Sequence, residues 1–259
     1  MGIGMPRELG DVLHFFAPEL TGSAAAPANE KDEALPLVGV PFANADPVRG
    51  ALLWNLAVEA ARQHARAALL APRSLCVTPA WPLPGRGPLG ALSIRAEADE
   101  PAELAHLAEE WLRGAAPRDR ALALVALPAS YLDKTADAAA LLRWTLLMVR
   151  PNEAEAHDAW TALEAIATHS RNARIGVTIF GVRSIAEARD CFEQLAAAAE
   201  QRLGCTLISY GLLVDDVHLS RSIVTGRPIA LASAHAASAR ALADVAAMLL
   251  EDAHGAADG

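Results

Sequence analysis

Short apolar segments alternate with longer amphipathic ones along most of the chain, and this alternation limits the fold more than any other feature. Apolar runs rich in Ala, Leu and Val predict strands, and apolar positions three and four residues apart predict helices between them. Helices between consecutive strands are typical of a parallel sheet covered on both faces, so we predict a doubly wound, mostly parallel α/β fold. The predicted strands are residues 35–42, 66–71, 91–95, 121–127, 145–149, 174–180, 206–213 and 228–232, and the predicted helices are residues 50–64, 101–113, 135–143, 154–168, 185–203, 216–224 and 235–251.

The length of the chain fits one domain preceded by a short segment. A chain of 259 residues suits a doubly wound α/β domain, and the composition changes near residue 35. Residues 21–34 are rich in Ala, Pro, Ser and Gly without periodicity, which is typical of a flexible linker. We therefore predict an N-terminal docking segment at residues 1–20, a linker at residues 21–34 and an α/β domain at residues 35–259.

The N-terminal segment carries one apolar stripe. Leu9, Val12, Leu13 and Phe16 lie at helical spacing before Pro18. A helix of about two turns is marginal alone, so we predict that these four side chains bind a groove on a partner protein. The alternative is that the stripe covers a patch of the domain's own surface.

Charge and cysteine content exclude several classes of function. The net charge of −9 gives no overall basic field that would attract nucleic acid. The apolar runs are too short to span a bilayer, the first residues do not resemble a signal peptide, and the last predicted helix is poor in Lys and Arg. We therefore predict a cytoplasmic protein without direct membrane insertion. Cys76, Cys191 and Cys205 lack metal-ligand spacing and are predicted to be free thiols.

Residues 40–57, VPFANADPVRGALLWNLA, have the outline of a phosphate-binding loop between a strand and a helix. Such a loop needs glycines that let backbone N–H groups surround the phosphates, a lysine that neutralises charge, and a Ser or Thr that holds magnesium. None of these three features is fully present in residues 40–57. Arg49 keeps a positive charge with a different geometry, and Asp46 puts a negative charge where a phosphate would lie.

This region resembles the opening motif of the MinD/ParA/FlhG family of P-loop ATPases, which belongs to the SIMIBI class. The motif aligns without gaps when the family's Asn-Leu-Ala is placed on Asn55, Leu56 and Ala57. The family motif reads xKGGxGKTT before a helix that often contains Asn-Leu-Ala. The resemblance places the family's signature lysine on Asn44, its three glycines on Ala45, Asp46 and Val48, its loop lysine on Arg49, and its two threonines on Gly50 and Ala51.

Three further positions of the resemblance have lost polar chemistry. The family's catalytic Asp after the second strand falls on Pro72 or Arg73, and its magnesium-ordering Asp falls on Ala126. The Asn that reads the nucleotide base falls on Phe180. The resemblance extends over residues 35–251 and includes the stretch at 212–228, LLVDDVHLSRSIVTGRP. It implies a degenerate member with no catalytic residue, no cofactor and no metal.

Other candidate sites have ordinary structural interpretations. Residues 85–90 match GxGxxG but lie among prolines and precede a strand, where the dinucleotide fingerprint requires a helix, so we predict a surface loop within residues 78–90. Asp215 and Asp216 with His218 resemble a metal pair, but acidic residues also favour a helix N-terminus. Isolated histidines and tryptophans are predicted to pack or to face solvent: His14, His106, His157, His169, Trp54, Trp111, Trp144 and Trp160.

The resemblance implies a pseudo-ATPase that binds proteins as a scaffold or spatial regulator of a bacterial cell-surface machinery, such as a flagellum, a polysaccharide or cellulose secretion system, or a division or partition system. Its partners would be a protein bound through the N-terminal segment and a second copy or a related ATPase in a dimer. FlhG-like proteins carry an N-terminal segment that acts on a partner. Two alternatives remain: a nucleotide-binding ATPase with an atypical loop around Arg49, or an unrelated small-molecule enzyme on an α/β sheet.

Overall fold

A computed structural model describes residues 35–42, 46–76, 82, 85–95, 98–116, 119–132 and 139–254. The predicted docking segment with Leu9, Val12, Leu13 and Phe16 lies outside these residues, as does Asn44.

The centre of the fold is a single eight-stranded sheet. All neighbouring strands are parallel except β3 and β4, which are antiparallel. The strands are β1 (Leu37–Phe42), β2 (Arg66–Leu70), β3 (Gly85–Arg86), β4 (Leu92–Arg95), β5 (Ala121–Pro128), β6 (Trp144–Val149), β7 (Arg174–Val182) and β8 (Leu207–Val214). Their order across the sheet is β3-β4-β2-β5-β1-β6-β7-β8. The predicted doubly wound, mostly parallel sheet is confirmed.

Helices cover both faces of the sheet, as the alternation predicts. The helices are α1 (Pro47–Arg62), α2 (Pro101–Arg113), α3 (Ala129–Leu132), α4 (Ala139–Leu142), α5 (Glu153–His169), α6 (Ile185–Leu203), α7 (Val217–Thr225), α8 (Ile229–Ala232) and α9 (Ala237–His254). The buried side chains of α1, α7, α8 and α9 form one apolar core with the sheet, and those of α2 to α6 form a second core on the opposite face. Because the two cores hold the helices against the sheet, they determine which helical side chains lie at the carboxyl edge of the strands.

The central strand β1 is buried along its whole length, between β5 and β6. Gly39 lies where α4 packs closely on this strand, because a Cβ there would lie 2.2 Å from the carbonyl oxygen of Leu141. A larger residue at position 39 would separate the two elements. The sheet therefore depends on a glycine at its centre for close helix packing.

Capping residues explain why several helix boundaries agree with the sequence. The predicted helices at 101–113 and 185–203 agree with α2 and α6 at both ends. Ser184 caps α6 by accepting a hydrogen bond from the N–H of Glu187 at 3.2 Å, and Gly204 ends the helix in the left-handed region at φ 65°. The carboxylate of Glu187 accepts a hydrogen bond from the N–H of Arg183 rather than from that of Ser184, so only half of a capping box forms.

One predicted strand is wrong. Residues 228–232 form the helix α8 after Pro228, and the N–H of Ile229 donates to the side chain of Asn55 at 2.7 Å. The N–H of Ala232 then bonds back to the carbonyl of Pro228 at 3.0 Å, as in a helix. An apolar run of this length does not distinguish a buried strand from a buried helical turn by periodicity. A side chain from α1, distant in sequence, decides the outcome.

Two other predictions differ in part. The predicted loop 78–90 contains β3, whose Gly85 and Arg86 pair with Ile94 and Ser93 of β4. The described part of the predicted helix 135–143 forms α4 at Ala139–Leu142, and residues 135–138 lie outside the described residues. A short helix that the sequence did not indicate, α3, directly follows β5. Both involve elements of two to four residues, which are too short to give a periodic signal.

No helix in the part of the chain that the structure describes is both long and apolar enough to cross a membrane. The apolar face of α9 is buried against the domain, including Leu242, Val245 and Leu249. Its acidic Asp252 lies in an ion pair with Arg174 of β7. The three cysteines are half-buried free thiols.

Candidate functional site: a filled phosphate-loop position

The N-terminus of α1 lies at the carboxyl edge of β1, where an open parallel sheet normally binds its ligand. The strand order changes direction here, because β5 and β2 lie on one side of β1 and β6 to β8 on the other. Asp46 has extended backbone geometry and caps the helix, while Pro47 occupies the first turn, where a missing N–H costs nothing. These local preferences explain why the helix begins at residue 47, three residues earlier than predicted.

The Asp46 carboxylate occupies the anion-binding position of this helix. One oxygen accepts a hydrogen bond from the N–H of Val48 at 2.8 Å, and the other accepts from the Arg49 guanidinium at 3.0 Å. A helix N-terminus binds a phosphate through free N–H groups and the positive end of the helix dipole. Asp46 therefore supplies from within the chain the negative charge that a bound phosphate would bring.

Arg49, at the place of the family's loop lysine, is buried and only 6% exposed. Its Nε donates to the carbonyl oxygen of Met148 on β6 at 3.1 Å. One terminal nitrogen pairs with Asp46, and the other forms an ion pair with Glu155 in the first turn of α5. All three guanidinium nitrogens therefore have partners within the chain.

The electrostatics of Arg49 are those of a buried, internally compensated cation. Burial lowers the pKa of Arg49 from its ordinary value, while the nearby carboxylates of Asp46 and Asp158 oppose this change. Arg150 carries a like charge and lowers the pKa of Arg49 further. Arginine remains protonated in proteins, so the burial must be balanced by partners rather than by loss of the proton.

Phe180, at the place of the family's base-reading Asn, lies between two arginines. The guanidinium carbon of Arg49 is 5.5 Å from the ring centroid and that of Arg150 is 4.9 Å from it. The ring is 1% exposed, so these cation–π contacts form away from solvent. A buried phenyl ring cannot donate or accept the hydrogen bonds by which an amide recognises a base.

The other altered positions carry no phosphate chemistry either. Ala126 is fully buried on β5 in register with Val40, and Gly50 is a helical residue whose N–H bonds the carbonyl of Asp46 at 3.0 Å. After β2, the N–H of Arg73 donates to the carboxylate of Asp99 at 3.1 Å within an exposed turn. Neither Ala126 nor Gly50 supplies a magnesium ligand through its side chain.

A cavity of about 300 Å³ lies beside Arg49, bounded by β1, β6, α3 and α5. Its walls are mainly apolar, and the fixed charges among its lining residues are Arg49 and Asp158, which have opposite sign. A triphosphate needs a strongly positive lining, since binding depends on neutralising several negative charges. The residues at this site therefore do not fit a nucleotide with magnesium.

The remaining sequence candidates are placed apart from this site. Residues 85–90 form β3 and the turn into β4, where the N–H of Gly87 donates to the carbonyl of Leu92 at 2.9 Å. Asp216 caps α7 by accepting from the N–H of His218 at 2.8 Å. Among the described residues, no three His, Cys, Asp or Glu side chains form a group that could hold a metal ion.

The tryptophans that the structure describes pack against other side chains. Trp54 and Trp144 are buried in the core, while Trp111 and Trp160 are half-buried. The two half-buried rings lie under the guanidinium groups of Arg66 and Arg202. Among the histidines, His157 lines the cavity beside Arg49, and His169 lies in the last turn of α5.

Sequence reasoning missed Glu155 and Arg150, which complete the site. Glu155 lies 106 residues from Arg49 and reads in sequence as an ordinary first-turn acid of α5. Arg150 follows β6 directly. Its position at the carboxyl end of a central strand is the feature of the sequence that could have identified it as a site residue. Only the topology of the sheet brings these side chains to the loop.

The structure is similar to solved MinD and ParA proteins. MinD from Aquifex aeolicus matches with a TM-score of 0.60 and 14% identity over 83% of this chain and 96% of that chain. The MinC:MinD complex from the same organism gives a TM-score of 0.58 and 14% identity over 82% and 95% of the two chains. A ParA-family ATPase from Chlorobium tepidum gives a TM-score of 0.55 and 12% identity over 81% of this chain and 98% of that chain. No protein-family model and no curated protein sequence matches the chain.

These likenesses define the class of fold. The chain has the MinD/ParA-type P-loop NTPase fold, and the agreement extends over nearly the whole length of the proteins it resembles. In this chain the N-terminus of the helix that follows β1 carries Asp46 and an arginine with three internal partners.

Proposed function

We propose that this protein is a non-catalytic, MinD/ParA-like pseudo-ATPase that acts as a protein-binding scaffold or spatial regulator of a bacterial cell-surface machinery. One observation carries the proposal. Arg49, at the position of the loop lysine, is held by Asp46, Glu155 and the Met148 carbonyl. A phosphate at this position would have to displace a buried ion pair and overcome the charge of Asp46.

The altered magnesium and base positions support the same conclusion independently. Phosphoryl transfer depends mainly on positioning and charge neutralisation, and Ala126, Gly50 and Phe180 provide neither. A nucleotide-binding function with an atypical loop would need Arg49 to turn toward the phosphates, whereas each of its three nitrogens already has a partner within the chain.

A fold that keeps its core while the nucleotide chemistry is lost is suited to protein recognition. MinD of Aquifex aeolicus, which has the same fold, is known in a complex with MinC. We extend that role to this chain, with Leu9, Val12, Leu13 and Phe16 of the N-terminal segment as the partner-binding side chains. A homodimer or a heterodimer with a related ATPase is the assembly that the fold suggests.

Affinity capture from the native host with the full chain as bait tests the scaffold role. We expect a captured protein that is lost with the double variant Leu13→Asp/Phe16→Asp and retained with Ala24→Asp/Ala26→Asp, which makes the same charge change in the linker. Capture should be equal with and without Mg-ATP. Capture that requires ATP, or steady ATP hydrolysis by the purified protein, would contradict the proposal.

A further inference from the structure

The exposed large hydrophobic side chains of the described residues all lie in one short region. They are Val217 at 76%, Val224 at 87% and Leu231 at 49% exposure, on α7 and α8. Val217 and Val224 are seven residues apart, which is two helical turns, so they project from the same face of α7. We call Val217, Arg221, Val224 and Leu231 the α7–α8 face.

The α7–α8 face is held rigidly by the opposite side of the same elements. Leu219 and Ser222 of α7 are buried, and Asp216 ties the start of α7 to α9 through the N–H and hydroxyl of Ser238, at 3.2 and 2.8 Å. The fully buried Asn55 holds α8 through the N–H of Ile229. A rigid apolar face requires little further ordering when a ligand binds, which favours affinity.

The charged side chains on α7 and in the turn between α7 and α8 are arginines. Residues 217–243 contain three arginines and no Asp or Glu, within a protein of net charge −9. Arg221, Arg227 and Arg240 are exposed, and the side chains of Arg221 and Arg227 form no ion pair with another described residue. The acids that flank this stretch are Asp215, Asp216 and Asp244. Asp216 is already engaged by His218 and Ser238, and Asp244 interacts with Arg240, which leaves Arg221 and Arg227 as the arginines of this face.

Residues 8–20, ELGDVLHFFAPEL, have the complementary chemistry. They combine the predicted stripe of Leu9, Val12, Leu13 and Phe16 with three acids, Glu8, Asp11 and Glu19, and one histidine. A linker with the composition and length of residues 21–34 spans about 20 Å root-mean-square. The six residues of β1 cover about 20 Å from the linker's end to the carboxyl edge where α7 starts.

We propose that the α7–α8 face binds an acidic amphipathic helix, and that residues 8–20 of the same chain occupy it when no partner is present. The aliphatic side chains of the two elements meet, and Arg221 and Arg227 face the acids of the segment. This rests on the proposed function in one respect: a partner that takes up the segment must first release it from this face. The α7–α8 face and the partner therefore compete for residues 8–20.

Hydrogen–deuterium exchange on the purified full chain, without nucleotide or partner, tests this contact. In the wild type, amides of residues 9–17 should exchange at least about tenfold more slowly than in Val224→Asp, because a short helix is protected only while docked. Ala102→Asp is the matched control, since Ala102 is an exposed residue of α2 outside this face. Arg221→Glu should give a smaller loss of protection that weakens as salt rises.

The reciprocal variant completes the test. Leu13→Asp/Phe16→Asp should speed exchange in α7 while leaving the central strands unchanged. Equal exchange of residues 9–17 in the wild type and Val224→Asp would overturn the inference. Protection that disappears on dilution would also overturn it, because a second copy would then supply the segment. Either failure leaves the pseudo-ATPase proposal intact, since that proposal depends on nucleotide binding and hydrolysis.

Discussion

At the scale of single residues, the replacement of lysine by arginine matters because of geometry rather than charge. A lysine ammonium is a compact charge, whereas the planar guanidinium of Arg49 reaches three separate acceptors on α1, β6 and α5. The same side chain therefore connects three elements at the carboxyl edge of the sheet. In the proposed account, Arg49 therefore has a structural role where the family's lysine binds a ligand.

The substitution Arg49→Ala should destabilise the protein by about 3 kcal/mol, because it leaves two partly buried carboxylates without their cation. Arg113→Ala provides the comparison, since Arg113 pairs with Glu109 on α2 and is 59% exposed. That surface pair should contribute less than about 1 kcal/mol. Urea unfolding of both variants measures the difference, and equal losses would show that Arg49 is not a structural ion-pair centre.

Glu59 gives a pH-dependent prediction. It is 1% exposed on α1, and burial raises its pKa above the ordinary 4.5, although Arg62 opposes the change. The folded state therefore disfavours the ionised carboxylate. The resulting loss of folding stability is complete at pH values above the raised pKa and disappears below pH 4.5. Glu59→Gln should raise the melting temperature at neutral pH, with a gain that shrinks as the pH falls toward 4.5. A gain that grows toward acid pH would contradict this assignment.

At the scale of elements, local signals predicted most helices and strands. The boundaries of α2 and α6 follow from residues inside or next to them, such as Pro101, Ser184 and Gly204. The error at α8 has a different origin, because the side chain that holds it, Asn55, is 174 residues away. The ion pair of Arg49 with Glu155 was likewise beyond sequence reasoning, because the two residues are 106 positions apart. The correspondence of Gly50, Ala126 and Phe180 to the family's magnesium and base positions stays a prediction.

The cap of α7 can be tested by Asp216→Ala. The hydrogen bonds from His218 and Ser238 hold the pKa of Asp216 below its ordinary 3.8, although burial alone would raise it. Losing these bonds should cost about 2 kcal/mol at neutral pH. The cost should shrink as the pH falls below 3.8 through the folded-state pKa.

Asp215→Ala is the matched control for this variant, because it removes the same charge from the exposed neighbouring residue. It should change the free energy of unfolding by no more than about 0.5 kcal/mol, the size of a screened helix-dipole contact. Equal losses in the two variants would show that charge near the helix, rather than the capping bonds, is what matters.

At the scale of the whole molecule, the sheet keeps the architecture of a nucleotide-binding fold while its ligand edge has become part of the packed structure. Asp46, Arg49 and Phe180 join the first, sixth and seventh strands and their helices through contacts within the chain. The surfaces that we propose for recognition are elsewhere, on the α7–α8 face and in the N-terminal segment. A binding scaffold can retain such a fold without its chemistry.

Isothermal titration calorimetry of the purified full chain with ATP and with GTP, each with magnesium, tests this account most directly. Since each guanidinium nitrogen of Arg49 already has a partner within the chain and Asp46 repels phosphate at the helix N-terminus, we predict no saturable binding heat for either nucleotide. Saturable, magnesium-dependent binding of ATP with a dissociation constant on the order of micromolar would contradict it.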